Sequence, residues 1–445
     1  MQYAAGSVGM GIYATVPGLL LLYFLTDTLG VSPWLAGATL FVPKVVDILL
    51  HPLIGSLSDR DRRGHGSRLR LLVAGCLLAL GFIATFTVPG LAQQNQYAAA
   101  LWVGIWFTIG NTLFALYQVP YLATPTDVVA GYHERTRIMT FRMVVLTLGI
   151  LVGGALAPLL AGRDSGVRGY ATMAVSLGLV MLVFQGIGVL GVRRLAPPVP
   201  PTPPELVGNS GHGHPFRAPW AVLRGNPTFR VLVGAYLLMS TTSHLALAGL
   251  PYYAKYALDR PGLTTVLVAF FVAPALLATP VWFAISRRRG KQRCLLVAQG
   301  IFIAGSGLML TGTWLGVPVV LVAALMLGVA FSGMQLFPFA MVPDVVRESG
   351  DGELDRAGAY SGVWTATEAV GGAAGPYLYS GALALGGFVA TRAGEVVHQS
   401  AEAHAAVVLG FTLIPIVLMT ASLLLQRRYR LDARAQASTL VEVAS

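Results

Sequence analysis

The stretch that decides the fold is LAGATLFVPKVVDILLHPLIGSLSDR, residues 35–60. It begins as an apolar span whose ionisable residues are Lys44, Asp47 and His51, and it then runs into Gly55-Ser-Leu-Ser-Asp59-Arg60. In an α-helix, which turns about 100° per residue, these three side chains lie within about 60° of one another. A charge at the centre of a bilayer costs about 3 kcal/mol, so such groups normally face a partner or a water-filled cavity. The pattern predicts a membrane helix with one polar face that is a candidate functional site.

The composition of the whole chain indicates a polytopic membrane protein. Of its 445 residues, 55% are hydrophobic and 11% are charged, and the mean hydropathy is +0.69. Soluble domains carry about 25% charged residues, so this balance excludes an ordinary soluble domain. The net charge of +11 comes from basic residues that fall mainly in short loops. Basic residues that are concentrated in short loops indicate the orientation of the chain in a membrane rather than binding of nucleic acid.

Apolar segments long enough to cross a bilayer recur about twelve times along the chain. The basic clusters at 60–70, 287–293 and 427–434 fall on one side of the membrane, and sparse arginines fall on the other. Because cytoplasmic loops carry the excess of Lys and Arg, both termini are predicted to be cytoplasmic, in a cell (inner or plasma) membrane. The predicted spans lie near 5–28, 32–57, 69–90, 97–126, 137–161, 169–192, 228–257, 262–286, 293–312, 316–345, 358–388 and 403–425.

A proline-rich loop divides these spans into six and six. The stretch Leu195-Ala-Pro-Pro-Val-Pro-Pro-Thr-Pro-Pro204 favours an extended spacer. Internal repetition supports the division, because Leu-Leu-Val-Ala opens both the third and the ninth span, at Leu71 and Leu295. The predicted domains are an N-terminal six-helix bundle at 1–192, a cytoplasmic Pro-rich linker at 193–227, a C-terminal six-helix bundle at 228–426 and a cytoplasmic tail at 427–445.

Several motifs resemble one transporter family over the whole chain. Twelve spans in two halves, with Gly-x-Leu-x-Asp-Arg-x-x-Arg at 55–63, resemble the major facilitator superfamily. The motifs Pro43-Lys-Val-Val-Asp47, Tyr117-Gln-Val-Pro-Tyr121 and Met341-Val-Pro-Asp344-Val-Val are similar to those of its glycoside–pentoside–hexuronide:cation symporter family (melibiose-permease-like). The resemblance implies an all-α fold of two pseudo-symmetric six-helix bundles. It also implies cation-coupled symport, with H⁺ or Na⁺, of an organic solute such as a sugar or glycoside by alternating access.

The chain departs from that family at positions that matter for its function. In the sodium- and sugar-coupled member, two aspartates one turn apart on span two help to hold the cation. The first corresponds to Asp47, but the second position is His51 here. The arginine of span five is kept as Arg142. Other site residues of the family are replaced in this chain by Gly11, Gln118, Leu122, Gln335 and Ala369, the last with Glu368 beside it.

The polar face of span two is the predicted cation-coupling site, made of Asp47, His51 and Lys44. One carboxylate and one imidazole make a poor sodium site, because hard cations prefer several oxygen ligands. Histidine changes charge near neutral pH and can relay a proton to a carboxylate. We therefore expect H⁺ to be favoured over Na⁺ as the coupling ion. In the structural alternative, Asp47 pairs with Lys44 and His51 hydrogen-bonds a neighbouring helix.

A second set of residues is predicted to bind substrate near the membrane midplane, where transporters of this architecture hold their solutes. Glu368 could neutralise Lys44 or Arg142, or take a proton itself; alternatively it forms a purely structural ion pair. The amides and aromatic rings suit a polar organic solute, although tyrosine and tryptophan in membrane helices are often packing or interfacial residues. The predicted substrate-binding residues are Arg142, Gln118, Tyr117, Tyr121, Gln335, Tyr360, Trp364 and Glu368.

Charged residues at the cytoplasmic ends of spans two and ten are predicted to be gating elements. They are Asp59, Arg60, Arg63 and Asp344. The resemblance implies that such acid–arginine clusters brace the outward-open state. The alternative is an exposed ion pair that contributes less than about 1 kcal/mol.

The motifs of enzymes and ATP-driven pumps do not occur in the sequence. It lacks Gly-x-x-x-x-Gly-Lys-Ser/Thr, His-Glu-x-x-His and a nucleophile elbow. We therefore expect no enzyme activity, catalytic residue, cofactor or metal site. The expected partners are a small-molecule solute, the coupling cation and the lipid bilayer, with no nucleic acid, for a chain that functions as a monomer. Two alternatives are a proton-coupled exporter of a hydrophobic or amphipathic metabolite and a non-transporting membrane sensor or scaffold.

Overall fold

The computed structural model describes residues 2–127, 132–162, 166–195, 222–348, 357–395 and 397–429. Within these ranges the chain is built of helices, with one isolated antiparallel bridge between Leu29 and Arg392. We number the long helices α1 Gln2–Asp27, α2 Pro33–His65, α3 Leu69–Phe86, α4 Gln96–Asp127, α5 Tyr132–Ala161, α6 Val167–Leu195, α7 Pro227–Ala257, α8 Leu263–Arg289, α9 Lys291–Leu315, α10 Val317–Glu348, α11 Ala357–Leu385 and α12 Ala401–Gln426.

Eleven of these helices in the described ranges are long and apolar enough to cross a membrane. The twelfth, α11, has 29 residues and is about 43 Å long at about 1.5 Å per residue. Glycine, serine, threonine and tyrosine residues, together with Glu368, interrupt its apolar sequence. The described helices therefore confirm the predicted all-α polytopic membrane fold.

Local sequence signals explain where several helices begin and end. Proline stands at the start of α2 and of α7, where its missing N–H removes no helical hydrogen bond. Asn226 caps α7, because its Oδ1 accepts a hydrogen bond from the Phe229 N–H at 2.9 Å. Gly66 ends α2 in the left-handed conformation, with φ of 69°, which glycine adopts without steric cost.

Close backbone contacts hold α1 against its neighbours. A Cβ atom at Gly11 would lie 2.5 Å from the Leu146 carbonyl oxygen of α5, and one at Gly149 would lie 2.5 Å from the Val8 carbonyl oxygen of α1. Small residues at such crossings let two membrane helices approach closely. The resemblance implies an acidic residue at the position of Gly11, and such a side chain would have no room here, because its Cβ would already meet the backbone of α5.

The chain forms two compact units. One contains Met1–Gly211 with Arg260–Val266 and Pro376–Ala406. The other contains His212–Asp259, Leu267–Gly375 and Val407–Ser445. Most of the predicted linker and of the predicted tail lies outside the described residues, so the predicted domain boundaries stay a prediction.

A segment of the first unit, residues 388–393, is attached to the end of α1; we call it the α11–α12 strap. Its Thr391 N–H donates to the Thr26 carbonyl oxygen at 2.8 Å, and its Ala393 N–H donates to the Thr28 carbonyl oxygen at 3.0 Å. The Arg392 guanidinium donates to the Gln94 carbonyl oxygen at 2.9 Å. The bonds to Thr26 and Thr28 satisfy backbone oxygens at the end of α1 that no helical hydrogen bond can satisfy.

Candidate functional site

The predicted polar face of α2 is present in the structure. Asp47 is buried, with 4% of its surface exposed. The Lys44 Nζ lies 3.7 Å from Asp47 Oδ2, and the His51 Nδ1 lies 3.3 Å from Asp47 Oδ1. The helix places the three groups together because they are separated by three and four residues, which is close to one turn.

The hydrogen bond of His51 determines which ring nitrogen carries its proton. The Nδ1 lies 2.9 Å from the Asp47 backbone oxygen, and a carbonyl oxygen can only accept. The Nδ1 of the neutral ring is therefore protonated, which leaves Nε2 as the nitrogen that can gain a proton. Since Nδ1–H points at the backbone, the Asp47 Oδ1, 3.3 Å from Nδ1, receives no hydrogen bond from the residues that the structure describes. This contact becomes an ionic one when Nε2 gains a proton.

Two further residues complete this cluster, and sequence reasoning missed both. The Tyr13 hydroxyl of α1 donates to Asn111 Oδ1 of α4 at 3.1 Å, and Lys44 Nζ donates to the same oxygen at 3.5 Å. Lys44 Nζ also lies 5.8 Å from the centre of the Phe107 ring. An asparagine in the middle of an apolar helix was the one signal that could have found Asn111, because a buried amide needs partners.

The predicted residues Tyr117 and Tyr121 of α4 lie in a buried aromatic cluster of the first unit. The ring of Tyr121 stacks on Tyr3 of α1 with centroids 4.4 Å apart, and the Tyr3 hydroxyl donates to the Tyr121 carbonyl oxygen at 2.8 Å. The Tyr117 hydroxyl donates to the Gln185 carbonyl oxygen of α6 at 3.2 Å. These contacts explain helix packing, and contact of either ring with a solute stays a prediction.

Arg142 of α5 lies at the edge of this cluster. It is 5% exposed, and its guanidinium carbon lies 5.8 Å from the centre of the Tyr121 ring. Its Nη1 contacts Met143 Sδ at 3.6 Å, and its Nε has no hydrogen-bond partner among the described residues. A buried guanidinium with an unused Nε–H is suited to bind a polar or anionic group of a solute.

In the second unit, Trp364 and Glu368 of α11 face a residue of α7. Trp364 stacks on Tyr236 with centroids 4.0 Å apart, and Phe339 of α10 packs edge-on against both rings. The Tyr236 hydroxyl lies close to the Glu368 side chain. The indole N–H of Trp364 is buried and has no acceptor among the described residues. The cluster thus combines a carboxylate with an unused donor, although the aromatic faces pack on one another.

The other predicted substrate residues occupy different environments. Tyr360 is buried, where its hydroxyl accepts a hydrogen bond from Asn226 Nδ2 at 3.3 Å and its ring packs on Phe229. Gln118 is half-buried and Gln335 is exposed. Their contact with a solute stays a prediction.

The predicted gating residues are only partly described. Asp344 forms an ion pair with Lys291 at the start of α9, with Nζ and Oδ2 2.6 Å apart. Arg60 is exposed on the last turns of α2. The side chains of Asp59 and Arg63 lie outside the part of the chain that the structure describes. Among the described residues, no group of three or more His, Cys, Asp or Glu side chains could hold a metal ion.

Known proteins of similar sequence are transporters. The family described as MFS/sugar transport protein matches residues 2–433 of this chain. The sphingosine-1-phosphate transporter MFSD2B of Mus musculus is 24% identical over 372 residues, 78% of this chain and 72% of that protein. The isoprimeverose transporter of Lactiplantibacillus pentosus is 22% identical over 451 residues, 97% of this chain and 88% of that protein.

A solved structure shows the same fold. The crystal structure of a D-xylose-proton symporter aligns with a TM-score of 0.68 and 13% sequence identity, covering 95% of this chain and 95% of that chain. At this identity the likeness concerns the arrangement of the helices and leaves the chemistry of the site to its own residues.

Proposed function

The chain belongs to the MFS/sugar transport protein family, and from this premise we propose that it couples the movement of protons to the symport of a sugar or glycoside. Transporters of this superfamily work by alternating access, in which the solute site opens to one side of the membrane at a time. The family supplies the coarse activity, a multi-pass membrane symporter. The coupling ion and the solute are our inference from the residues.

The observation that carries the proposal is the buried carboxylate of Asp47. Its Oδ1 lies 3.3 Å from the His51 Nδ1 and has no hydrogen bond among the described residues. A buried acceptor without a donor is costly, and a proton bound there removes that cost. Sodium instead needs several oxygen ligands, and the groups nearest to this carboxylate are an ammonium and an imidazole.

The charge of the cluster gives the proposed mechanism its physical basis. With a neutral His51, the charges of Lys44 and Asp47 cancel. A proton on Asp47 Oδ1 or on His51 Nε2 leaves a net positive charge, which is unfavourable inside a membrane unless water or a solute compensates it. Proton binding is therefore tied to the solvent access of this face, and that access changes during the transport cycle.

The solute that this proposal names is a sugar or glycoside, which follows the isoprimeverose transporter among its relatives. In the second unit, hydroxyl groups of a sugar suit the carboxylate of Glu368, the unused indole N–H of Trp364 and the amide of Gln335. In the first unit they suit the amide of Gln118. Arg142 supplies further donors in the first unit.

The test is solute uptake into proteoliposomes with isoprimeverose and D-xylose as probes. We expect an imposed pH gradient to drive accumulation and a sodium gradient to have no effect. Asp47→Asn abolishes the gradient-driven accumulation, and His51→Gln changes its pH dependence. His244→Gln is the matched control, because His244 makes the same 2.9 Å bond to a carbonyl one turn earlier, that of Ser240, and has no place in the proposed site. Accumulation driven by sodium alone would overturn proton coupling.

Arg142 favours a second candidate, transport of an amphiphile with an anionic head group. A buried guanidinium with an unused Nε–H matches a phosphate better than a neutral sugar, and one relative is a sphingosine-1-phosphate transporter. We expect a lysophospholipid carrying a free phosphate to raise the melting temperature of the protein with concentration, and Arg142→Gln to remove that effect. A lysolipid of the same chain length with a neutral head group is the control. If both lysolipids stabilise the protein equally, Arg142 does not select the head group.

A further inference from the structure

The turn between α8 and α9 concentrates positive charge, because five of the seven residues at 287–293 are lysine or arginine. Lys291 is engaged within the protein: its Nζ pairs with Asp344 Oδ2 at 2.6 Å and donates to the Ala340 carbonyl oxygen at 3.0 Å. The other four side chains are exposed, and none has a hydrogen bond or an ion pair with the residues that the structure describes. We call these four the α8–α9 arginines; they are Arg287, Arg288, Arg289 and Arg293.

The turn between α2 and α3 is also basic, but arginines there are bonded to the protein itself. The Arg62 guanidinium donates to the Gly66 carbonyl oxygen at 2.9 Å, and that of Arg68 donates to Ser58 Oγ at 2.7 Å. The excess of basic residues in cytoplasmic loops accounts for positive charge at both turns. It does not account for guanidinium groups whose donors are left for a partner outside the chain, and the α8–α9 arginines are of this kind.

An exposed apolar face of α8 leads to these arginines. Leu277, Val281 and Ile285 are 79%, 56% and 38% exposed. Their spacing of four residues keeps them on one side of the helix, over about 12 Å at about 1.5 Å per residue. Arg288 follows Ile285 by three residues and lies on the same side. This side of α8 therefore presents hydrocarbon first and positive charge at its end, which matches the order of chain and head group in a phospholipid.

A cavity of about 540 Å³ lies where the apolar face meets the arginines. Its lining residues are Ala284, Ile285, Arg287 and Arg288. The walls thus combine apolar side chains with two guanidinium groups that have no partner in the described part of the chain. A planar guanidinium binds the oxygens of a phosphate through paired hydrogen bonds. The cavity can therefore hold a phosphate that is attached to an apolar group.

We propose that this surface binds an anionic phospholipid of the surrounding bilayer, with its phosphate on Arg287 and Arg288 and an acyl chain along Leu277, Val281 and Ile285. Charge complementarity identifies the occupant. Acidic lipids are concentrated in the cytoplasmic leaflet, on which this turn is predicted to lie, and clustered arginines at the membrane surface attract them. The inference does not depend on the solute or the coupling ion of the proposed function.

A bound lipid and a free anion differ in the parts of the surface that they use. A free phosphate contacts the guanidinium groups alone, and salt screens an attraction between charges that are exposed to water. A lipid also covers the apolar face of α8 and so adds the burial of hydrocarbon. Binding to this surface therefore requires both the negative head group and the acyl chain.

The experiment measures the melting temperature of the purified protein in a non-ionic detergent with added phosphatidylglycerol or phosphatidylcholine of the same acyl chains. We expect phosphatidylglycerol to raise the melting temperature with concentration and phosphatidylcholine to have little effect. The Arg287→Gln, Arg288→Gln double variant loses most of this rise. The matched control is Arg427→Gln, Arg428→Gln, which removes two exposed arginines after α12 and keeps the rise. Glycerol 3-phosphate, which lacks the acyl chains, produces no rise.

Each result decides the inference. No rise in the wild type overturns it, and so does an equal rise with phosphatidylcholine, with glycerol 3-phosphate or in the double variant. If carboxylates of the chain itself neutralise the arginines, the double variant is less stable without lipid and phosphatidylglycerol has no effect, which also overturns the inference.

One further variant separates this surface from the second candidate for the proposed function. Arg142→Gln keeps the rise with phosphatidylglycerol, and its loss in that variant would place the lipid at Arg142 and overturn the inference. Arg288→Gln alone takes the same test if the double variant does not fold. Should neither variant fold in the presence of phosphatidylglycerol, the arginines serve the fold itself and the inference is overturned.

Discussion

Asp47 and its neighbours show how much one turn of helix determines at the scale of the residue. Lys44 and His51 lie three residues before it and four residues after it, so the helix brings all three groups together without help from distant parts of the chain. That is why their placement could be predicted from the sequence. Asn111 and Tyr13 reach the same cluster from α4 and α1, and no pattern in the sequence predicts which helices meet there.

Tyr121 allows packing and solute binding to be separated. Its hydroxyl is buried and bonds the Tyr3 carbonyl oxygen and the Ser7 hydroxyl. We expect Tyr121→Phe to reduce the free energy of unfolding by about 1 kcal/mol, because two buried groups lose a partner. The measurement is denaturation in detergent, with Tyr97→Phe, at an exposed position, as control. If Tyr121→Phe leaves stability unchanged and abolishes uptake, the hydroxyl belongs to the solute site.

The motif that contains Tyr117 and Tyr121 supports the resemblance to a family, and the aromatic faces of these two residues led to the prediction that they contact the solute. A motif does not tell which side of its helix faces a neighbouring helix. The structure places both rings against α1 and α6, where their hydroxyls bond backbone oxygens. Trp364, which stacks on Tyr236, is a similar case in the second unit. Tertiary packing determines the direction of a side chain within a helix bundle, so this direction cannot be predicted from one sequence.

At the scale of the element, the crossing of α1 and α5 depends on residues without side chains. A Cβ atom added at Gly11 or at Gly149 would lie 2.5 Å from a backbone carbonyl oxygen of the other helix. The hydrophobicity of these segments is enough to predict that they form membrane helices. The crossing itself follows from glycines that, among 52 in the chain, carry no distinguishing mark in the sequence.

Gly11→Ala tests this crossing. The added methyl group would overlap the backbone of α5, and we expect it to reduce the free energy of unfolding by about 1–3 kcal/mol. Gly300→Ala in α9 is the control, because a Cβ at Gly300 meets no atom within 4 Å. The control should keep or slightly increase stability, since alanine favours a helix over glycine. Equal effects of the two substitutions in thermal unfolding would contradict the close crossing.

At the scale of the whole molecule, the two compact units do not follow the order of the chain. The first unit takes in Pro376–Ala406 in addition to α1–α6. The internal repeats and the proline-rich stretch predicted that the chain divides near residues 193–227. Neither feature indicates that a later segment belongs to the first unit. The α11–α12 strap makes that return through hydrogen bonds between backbone groups, which no side-chain pattern reveals.

Thr391→Pro tests the strap. Proline removes the N–H that donates to the Thr26 carbonyl oxygen at 2.8 Å, and we expect a loss of about 1 kcal/mol or more in thermal unfolding. Thr391→Val is the matched control, because it keeps the backbone N–H and the branched shape of the side chain. An equal loss in both variants would assign the effect to the hydroxyl, which contacts the Asp27 carbonyl oxygen at 3.4 Å.

The strap also has a consequence for biosynthesis. Asp27 precedes Thr391 by 364 residues, and in the finished protein the Thr391 hydroxyl contacts the Asp27 carbonyl oxygen. The ribosome therefore makes Asp27 long before it makes Thr391. The unit whose helices emerge first therefore lacks a native contact until translation has almost ended. Pairing between such distant positions is slow, because a long loop must close before the contact forms. Nascent chains released before residue 391 should accordingly keep the end of α1 open to protease, and full-length chains should protect it.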